Sequence, residues 1–302
     1  MKFVVEQWAP EYGTPTGAQL EETTTVPEVD IEVPTRDWAP ITPAGSGADA
    51  VLFVDGVRRV DANVWIAQPD GTATLGLCAT YAAGAVHCDG TAELVASEVR
   101  RGLFTAAAGA APIVTRHAEY QVRAVAGSTP EELWLGIQQR MGETEKEIAA
   151  RHSGDALVVV DGPLSGAHVP GAVGYVKTHH VEYLPPALRP VIGSLTAGQR
   201  TPLFLTTTAW SRYSWYLRLP GPADHPRASV VRCEAPADLG TEAAANLADR
   251  VTLTLPRFAS HGHKDPRAPQ NLYPIGGLER ALRRRLGDQG LLYRSLRVAA
   301  SR

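Results

Sequence analysis

The sequence predicts an α/β protein, a mixed sheet flanked by helices with an extended arm ahead of it, and three observations predict that class. Two short apolar, β-branched runs, Val51-Leu52-Phe53-Val54-Asp55-Gly56 and Leu157-Val158-Val159-Val160-Asp161-Gly162, each end on a carboxylate. Runs of this composition are strands buried on both faces. Between them come several alternating segments and then one capped, amphipathic helix.

Residues 1–48 are rich in Pro, Thr and Glu and carry a small echo, Trp8-Ala9-Pro10 and Trp38-Ala39-Pro40. Proline at this density argues against helices and central strands, while the interspersed Val and Ile favour extended pieces lying on another surface. This arm packs on its own domain, exchanges with a second protomer or docks a partner; the sequence leaves all three open. Residues 49–302 form the main domain. Its first strand, 51–55, is followed by strands at 57–68, 72–81 and 85–88, separated by turn signals at Pro69-Asp70-Gly71 and Ala82-Ala83-Gly84, so an antiparallel meander is expected. Residues 93–103 read as a short helix and 113–125 as another strand.

Ser128-Thr129-Pro130-Glu131-Glu132 opens a helix, with a hydroxyl cap, proline in the first turn and acids at the positive end of the dipole. It runs to His152 and stops at Ser153-Gly154. Trp134, Ile137, Met141 and Ile148 form its apolar stripe. Glu145, four after Met141 and three before Ile148, falls nearest that stripe, and Glu143 points furthest away. After the strand that ends at Asp161 come strands at 172–178, 203–208, 214–219 and 229–234. Helices are expected at 187–195, 241–249 and 278–286, and 251–255 is ambiguous.

At 302 residues, 44% hydrophobic and 20% charged, the chain can bury a substantial core. No stretch approaches the length of a membrane span, and Met1-Lys2-Phe3-Val4-Val5-Glu6-Gln7-Trp8 turns acidic too quickly for a signal peptide, so a cytoplasmic protein is expected. Cys78, Cys88 and Cys233 make no C-x-x-C spacing and read as reduced, with room for a Cys78–Cys88 contact across a hairpin. A net charge of −3 does not advertise nucleic-acid binding, nor does it exclude a basic groove. The clearest basic run is C-terminal, Arg280, Arg283, Arg284, Arg285, Arg294 and Arg297, and reads as a solvated helix face or a binding patch.

Two acids at neighbouring strand ends point to a divalent-metal site, although Asp-Gly is also a common turn dipeptide. The order of elements is that of the RNase H-like fold, in which the first and fourth strands are neighbours and the helix before the fourth adds a carboxylate. Two ions about 4 Å apart in such a site activate a water on one side of a phosphodiester and stabilise the leaving oxygen on the other.

The sequence resembles the NurA nucleases, which work with the HerA translocase in processing DNA ends. Phe53-Val54-Asp55-Gly56, the helix led by Arg140 with its glutamates, and Val159-Val160-Asp161-Gly162-Pro163-Leu164 carry the resemblance. Gly174-Tyr175-Val176-Lys177 and Tyr273-Pro274 with Leu278 and Ala281 extend it over residues 48–290. It implies a metal-dependent deoxyribonuclease using Mn2+ or Mg2+, with Asp55, Asp161 and Glu145 or Glu143 as ligands and Lys177 steadying the scissile phosphate. It also implies DNA as substrate, a homodimer, a HerA-like hexameric ATPase as partner and no membrane. A surface lysine is the plain alternative for Lys177.

One departure matters. The family places a metal-holding histidine directly after the alanine of the C-terminal motif, and here Leu282 follows Ala281. His261 and His263 are candidate substitutes, a solvated loop being the alternative, and Tyr213 or Tyr216 matches the family's catalytic tyrosine unless both are core. Leu282 also motivates a second reading, an adaptor that keeps the fold to bind a translocase. A sugar-kinase or actin-like ATPase shares the core but lacks visible Gly-rich phosphate loops here.

Overall fold

The computed structural model describes the backbone of residues 21–22 and all of 26–164, 169–179, 181–208 and 210–301. Trp8-Ala9-Pro10, most of the first half of the arm and Ser165-Gly166 lie outside the described residues.

The strands are β1 (Glu21–Glu22), β2 (Val51–Ala67), β3 (Ala73–Asp89), β4 (Thr91–Thr105), β5 (Ile113–Val114), β6 (Glu119–Ala124), β7 (Leu157–Asp161), β8 (Val173–Val176), β9 (Val181–Glu182), β10 (Phe204–Thr207), β11 (Ser211–Arg218) and β12 (Val230–Pro236). The α-helices are α1 (Pro130–His152), α2 (Pro190–Ser194), α3 (Thr241–Thr254), α4 (Tyr273–Arg285) and α5 (Gln289–Ala300). A ten-stranded sheet runs β10-β11-β12-β8-β7-β2-β3-β4-β6-β5, and β1 pairs with β9 in a separate ribbon. The large sheet is mixed: β7–β8 and β4–β6 are parallel, while β10–β11, β11–β12 and β12–β8 are antiparallel. The fold is therefore α/β with a large mixed sheet, and β7 neighbours β2 as the element order implied.

The chain divides into two compact units, Met1–Phe53 with His87–Ala92 and Ser153–Gly276, and Val54–Val86 with Glu93–His152 and Gly277–Arg302, the division running through β2 and β3 themselves. In the first, Trp38, Leu184, Ile192, Phe204, Tyr216 and Val230 form a core. The described part of the arm lies on this core. Trp38 donates its indole N–H to the Val29 carbonyl at 3.1 Å, and backbone bridges join Glu28 to Leu205 and Ile41 to Arg200. Buried Arg200 holds Glu32 through two bonds of 2.6 and 2.9 Å and reaches Asp249 at 2.6 Å. An extended segment with so few ladder bonds of its own needs other anchors, and this ion-pair cluster and Trp38 supply them.

In the second unit, α1 begins with a reciprocal capping box. Thr129 Oγ1 accepts from Glu132 N, and the Glu132 carboxylate accepts from Thr129 N at 3.0 Å, so the cap is Thr129 rather than Ser128. Leu133, Ile137 and Met141 pack on Leu77, Ala79, Tyr81 and Phe104. Trp134, expected in that stripe, is 40% exposed, and its ring carries the Arg58 guanidinium at 4.9 Å. Leu133, four residues before Ile137, takes its place, while Ile137, Met141 and Ile148 stay buried as expected.

Several expected breaks are absent. Val51–Ala67 is one unbroken strand, so Gly56 is not a turn: a Cβ there would come 2.7 Å from Met141 Cγ and collide with Glu145 Oε1. Gly84 likewise lies inside β3, where a Cβ would come 2.8 Å from the Ala96 carbonyl oxygen and would also meet Leu278 at 3.0 Å and Leu282 at 3.1 Å. Both glycines admit helix side chains close to a strand. Cys78 and Cys88 consequently sit on the same strand and face no hairpin partner; both are free and buried. Residues 93–103 belong to β4 and not to a helix, because Gly90, with φ 68°, turns β3 straight into a new strand whose Val and Thr content suits pairing. β6 then pairs parallel with β4, ending the meander. Helix α3 continues through the ambiguous 251–254, and α5 is an additional helix, started by Asp288, whose carboxylate accepts from Leu291 N at 2.6 Å.

Candidate metal centre

Asp55 is buried within β2, Asp161 is the partly buried last residue of β7, and Glu279 lies on α4. Each offers one carboxylate oxygen, and the three oxygens lie within 4.8 Å of one another. A set of hard, anionic oxygens at that spacing suits Mg2+ or Mn2+ and not a soft metal.

The sequence around Asp161 explains its placement. Leu157, Val158 and Val159 are buried, and the strand ends where Gly162 takes φ 104°, in the left-handed region that favours glycine. The following loop is fixed from beneath: Gly162 N donates to the Tyr175 carbonyl at 2.8 Å, and Leu164 N donates to Glu234 Oε2 at 2.9 Å. Glu234 is itself held by Arg232 at 2.7 Å and Arg212 at 3.1 Å. Gly174 is required here, since a Cβ would stand 2.8 Å from Leu164 N.

Asp161 is in register with Tyr175, so Lys177, two residues on, projects from the same side of the sheet. Its Nζ donates to Asp161 Oδ2 at 2.6 Å and to Asn271 Oδ1 at 3.1 Å. Asn271 is wholly buried and donates in turn to Asp265 Oδ2 at 2.7 Å. Burial, reinforced by Cys233 and Asp161, raises the Tyr175 phenol well above its ordinary value, which keeps it a neutral donor to the Gln270 carbonyl at 2.7 Å.

Of the two helix glutamates, Glu145 lies over Gly56, beside Asp55, whereas Glu143 is exposed and pairs with Arg140 at 2.8 Å. Burial lowers the pKa of Arg58, and the charges of Glu145 and Asp55 oppose that shift. Neither glutamate belongs to the group of three, which among the described residues comprises Asp55, Asp161 and Glu279. His261 and His263 are exposed, with His261 Nδ1 2.8 Å from the Tyr273 hydroxyl. Tyr213 and Tyr216 are core residues.

Sequence reasoning overlooked Glu279 and Asn271. Glu279 sits three residues before Leu282, and residues three apart share a helix face, so the helix turn ahead of Leu282 is the only local signal for this oxygen donor. Leu282 is fully buried against Gly84. Asn271 immediately precedes Leu272-Tyr273-Pro274 but carries no signal of its own.

A family model described as the NurA domain matches residues 115–283, more than half of the chain. The match spans α1, β7, β8 and α4 up to Arg283, and begins after Asp55. No curated protein matches the chain. Among the described residues no helix is long and apolar enough to cross a membrane.

Proposed function

The chain belongs to the NurA family, a family of nucleases, and from that premise we propose that it is a metal-dependent deoxyribonuclease of DNA end processing or defence, working as a homodimer with a HerA-type hexameric ATPase. The observation that carries the catalytic part is the group of three carboxylates, Asp55, Asp161 and Glu279, within 4.8 Å of one another. The dimer and the translocase rest on the family alone.

Asp55, Asp161 and Glu279 would hold Mn2+ or Mg2+, which supplies a Lewis acid for the phosphodiester and a more acidic water. Lys177 sets its ammonium 2.6 Å from Asp161 Oδ2, and Asn271 restricts its swing. That charge orients the carboxylate and stands ready to offset the anionic phosphate. Glu145, which lies over Gly56, would accept a proton or extend the ligand set.

The test is DNA hydrolysis by the purified chain with Mn2+, together with Mn2+ titration by calorimetry. Asp161→Asn removes one ligand charge at nearly constant volume and is expected to abolish both. Activity that survives this substitution refutes the assignment. Leu282 favours a second reading, a NurA-like adaptor that binds a translocase without cleaving DNA. Absent Mn2+ binding with intact ATPase binding would select it.

A further inference from the structure

The last thirty residues, 273–302, hold seven arginines against two acids, in a chain whose net charge is −3. Arg280, Arg283 and Arg284 on α4 and Arg294 and Arg297 on α5 are all exposed. Among the described residues none of these five makes an ion pair, whereas Arg100, Arg140 and Arg151 on the same unit's surface each meet a glutamate. Unpaired guanidinium groups in this number repel one another, so they raise the local potential at some cost in stability.

The two helices are held as a rigid base for that charge. Gly287, with φ 85°, ends α4, and Asp288 caps α5 only three residues after the last residue of α4. The joint is gripped from β2 and β4: Arg59 donates to the Gly287 carbonyl at 2.9 Å, and both Arg59 and Arg101 donate to the Leu286 carbonyl at 3.4 Å. Arg59 is itself set by buried Asp61 at 2.9 Å. Leu282, Leu286, Leu292 and Leu296 bury the inner faces, leaving the arginines outward. Tyr293, 46% exposed, lies one turn from Arg297, so the outer face of α5 offers a π surface beside guanidinium groups.

We propose that the outer face of α4 and α5 binds a single strand of DNA, its arginines meeting phosphates and Tyr293 stacking on a base. Unpaired arginines with an interleaved aromatic are the chemistry of single-strand tracks, in which charge follows the backbone and stacking tolerates any sequence. The proposal extends the nuclease reading by naming the surface that holds the substrate.

The experiment measures fluorescence anisotropy of a labelled oligothymidylate with the full chain in EDTA, across a range of salt, where no metal chemistry intervenes. Removing one arginine–phosphate pairing lowers the slope of log K against log salt by about 0.7 for a single strand. The variant R283Q/R284Q/R294Q/R297Q is expected to lose at least tenfold in affinity and about 2–3 in slope, while R283K/R284K/R294K/R297K keeps most of both. Tyr293→Ala is expected to weaken binding without altering the slope. Hydrolysis of bis(p-nitrophenyl) phosphate with Mn2+ reports the catalytic centre separately and is expected to be unchanged by the glutamine variant. Unchanged oligonucleotide affinity and slope in that variant overturn the proposal, as does a wild-type chain that binds no oligothymidylate. Loss of binding to an acidic protein partner with DNA affinity intact does so too, and assigns the face to protein. Slope loss without any ester hydrolysis keeps the surface and removes the nuclease reading.

Discussion

Gly56→Ala is the substitution for which backbone propensity and packing disagree in sign. Replacing glycine by alanine in a strand lowers the entropy of the unfolded chain and by itself stabilises by roughly 0.5–1 kcal/mol. At Gly56 the added methyl would sit 2.7 Å from Met141 Cγ and 2.9 Å from its Sδ, and would collide with Glu145 Oε1. The glutamate head can swing aside, but Met141 Cγ is one bond from the helix-anchored Cβ and the residue is buried. Overpacking of this kind costs about 1–3 kcal/mol, so the net expectation is a loss of about 1–2 kcal/mol. Gly142 supplies the control: it lies in α1, a methyl added there would have nothing within 4 Å, and alanine should stabilise by about 0.5–1 kcal/mol. Urea unfolding followed by circular dichroism should therefore rank Gly142→Ala above the wild type and Gly56→Ala below it. A Gly56→Ala midpoint at or above that of the wild type would mean that close packing of Met141 and Glu145 does not require glycine at this position.

Three further outcomes follow from the surroundings of buried groups. Leu282→Ala empties a fully buried site against Gly84 and should cost about 2–5 kcal/mol while leaving Mn2+ affinity within about twofold of the wild type, a split read by urea unfolding and calorimetry side by side. Arg200→Met leaves Glu32 and Asp249 without their cation and should cost about 3 kcal/mol, with limited proteolysis then cutting within residues 26–48 that the wild type protects. Burial, assisted by Asp61, pushes the Cys78 thiol up to about 12 from 9.0, so the folded chain keeps a proton that the unfolded chain releases near pH 9. Its contribution is complete below pH 9 and declines between pH 9 and 12 by up to about 1.4 kcal/mol per pH unit. Cys78→Ala should flatten that decline, and an identical pH profile for the two chains refutes it.

Legibility differed from element to element for identifiable reasons. Helix α1 could be read because its start is local chemistry: Thr129, Pro130 and Glu132 fix a cap through bonds within four residues. The β7 run was legible because a strand buried by both neighbours needs only apolar side chains, and Gly162 had to stop it at a positive φ. Gly56 and Gly84 misled because the dipeptides around them are those of turns, whereas the actual requirement is space for Met141 and Glu145 at Gly56 and for the Ala96 carbonyl, Leu278 and Leu282 at Gly84, neighbours that only the folded chain brings there. Residues 93–103 misled because pairing with β3 outweighs a weak helical pattern.

The site divides in the same way. The sequence by itself determined that Asp55 and Asp161 end or interrupt apolar strands, that Glu145 lies on the inner side of its helix and that Lys177 follows β8, because each follows from a period of two or of 3.6. Tertiary structure alone decided that Glu279 joins the two aspartates, that Asn271 steadies Lys177 and that Leu282 is a packing residue on Gly84. Those three assignments depend on where α4 and the segment before it dock, and a pairing made across roughly a hundred residues or more leaves no periodic trace in the chain that makes it.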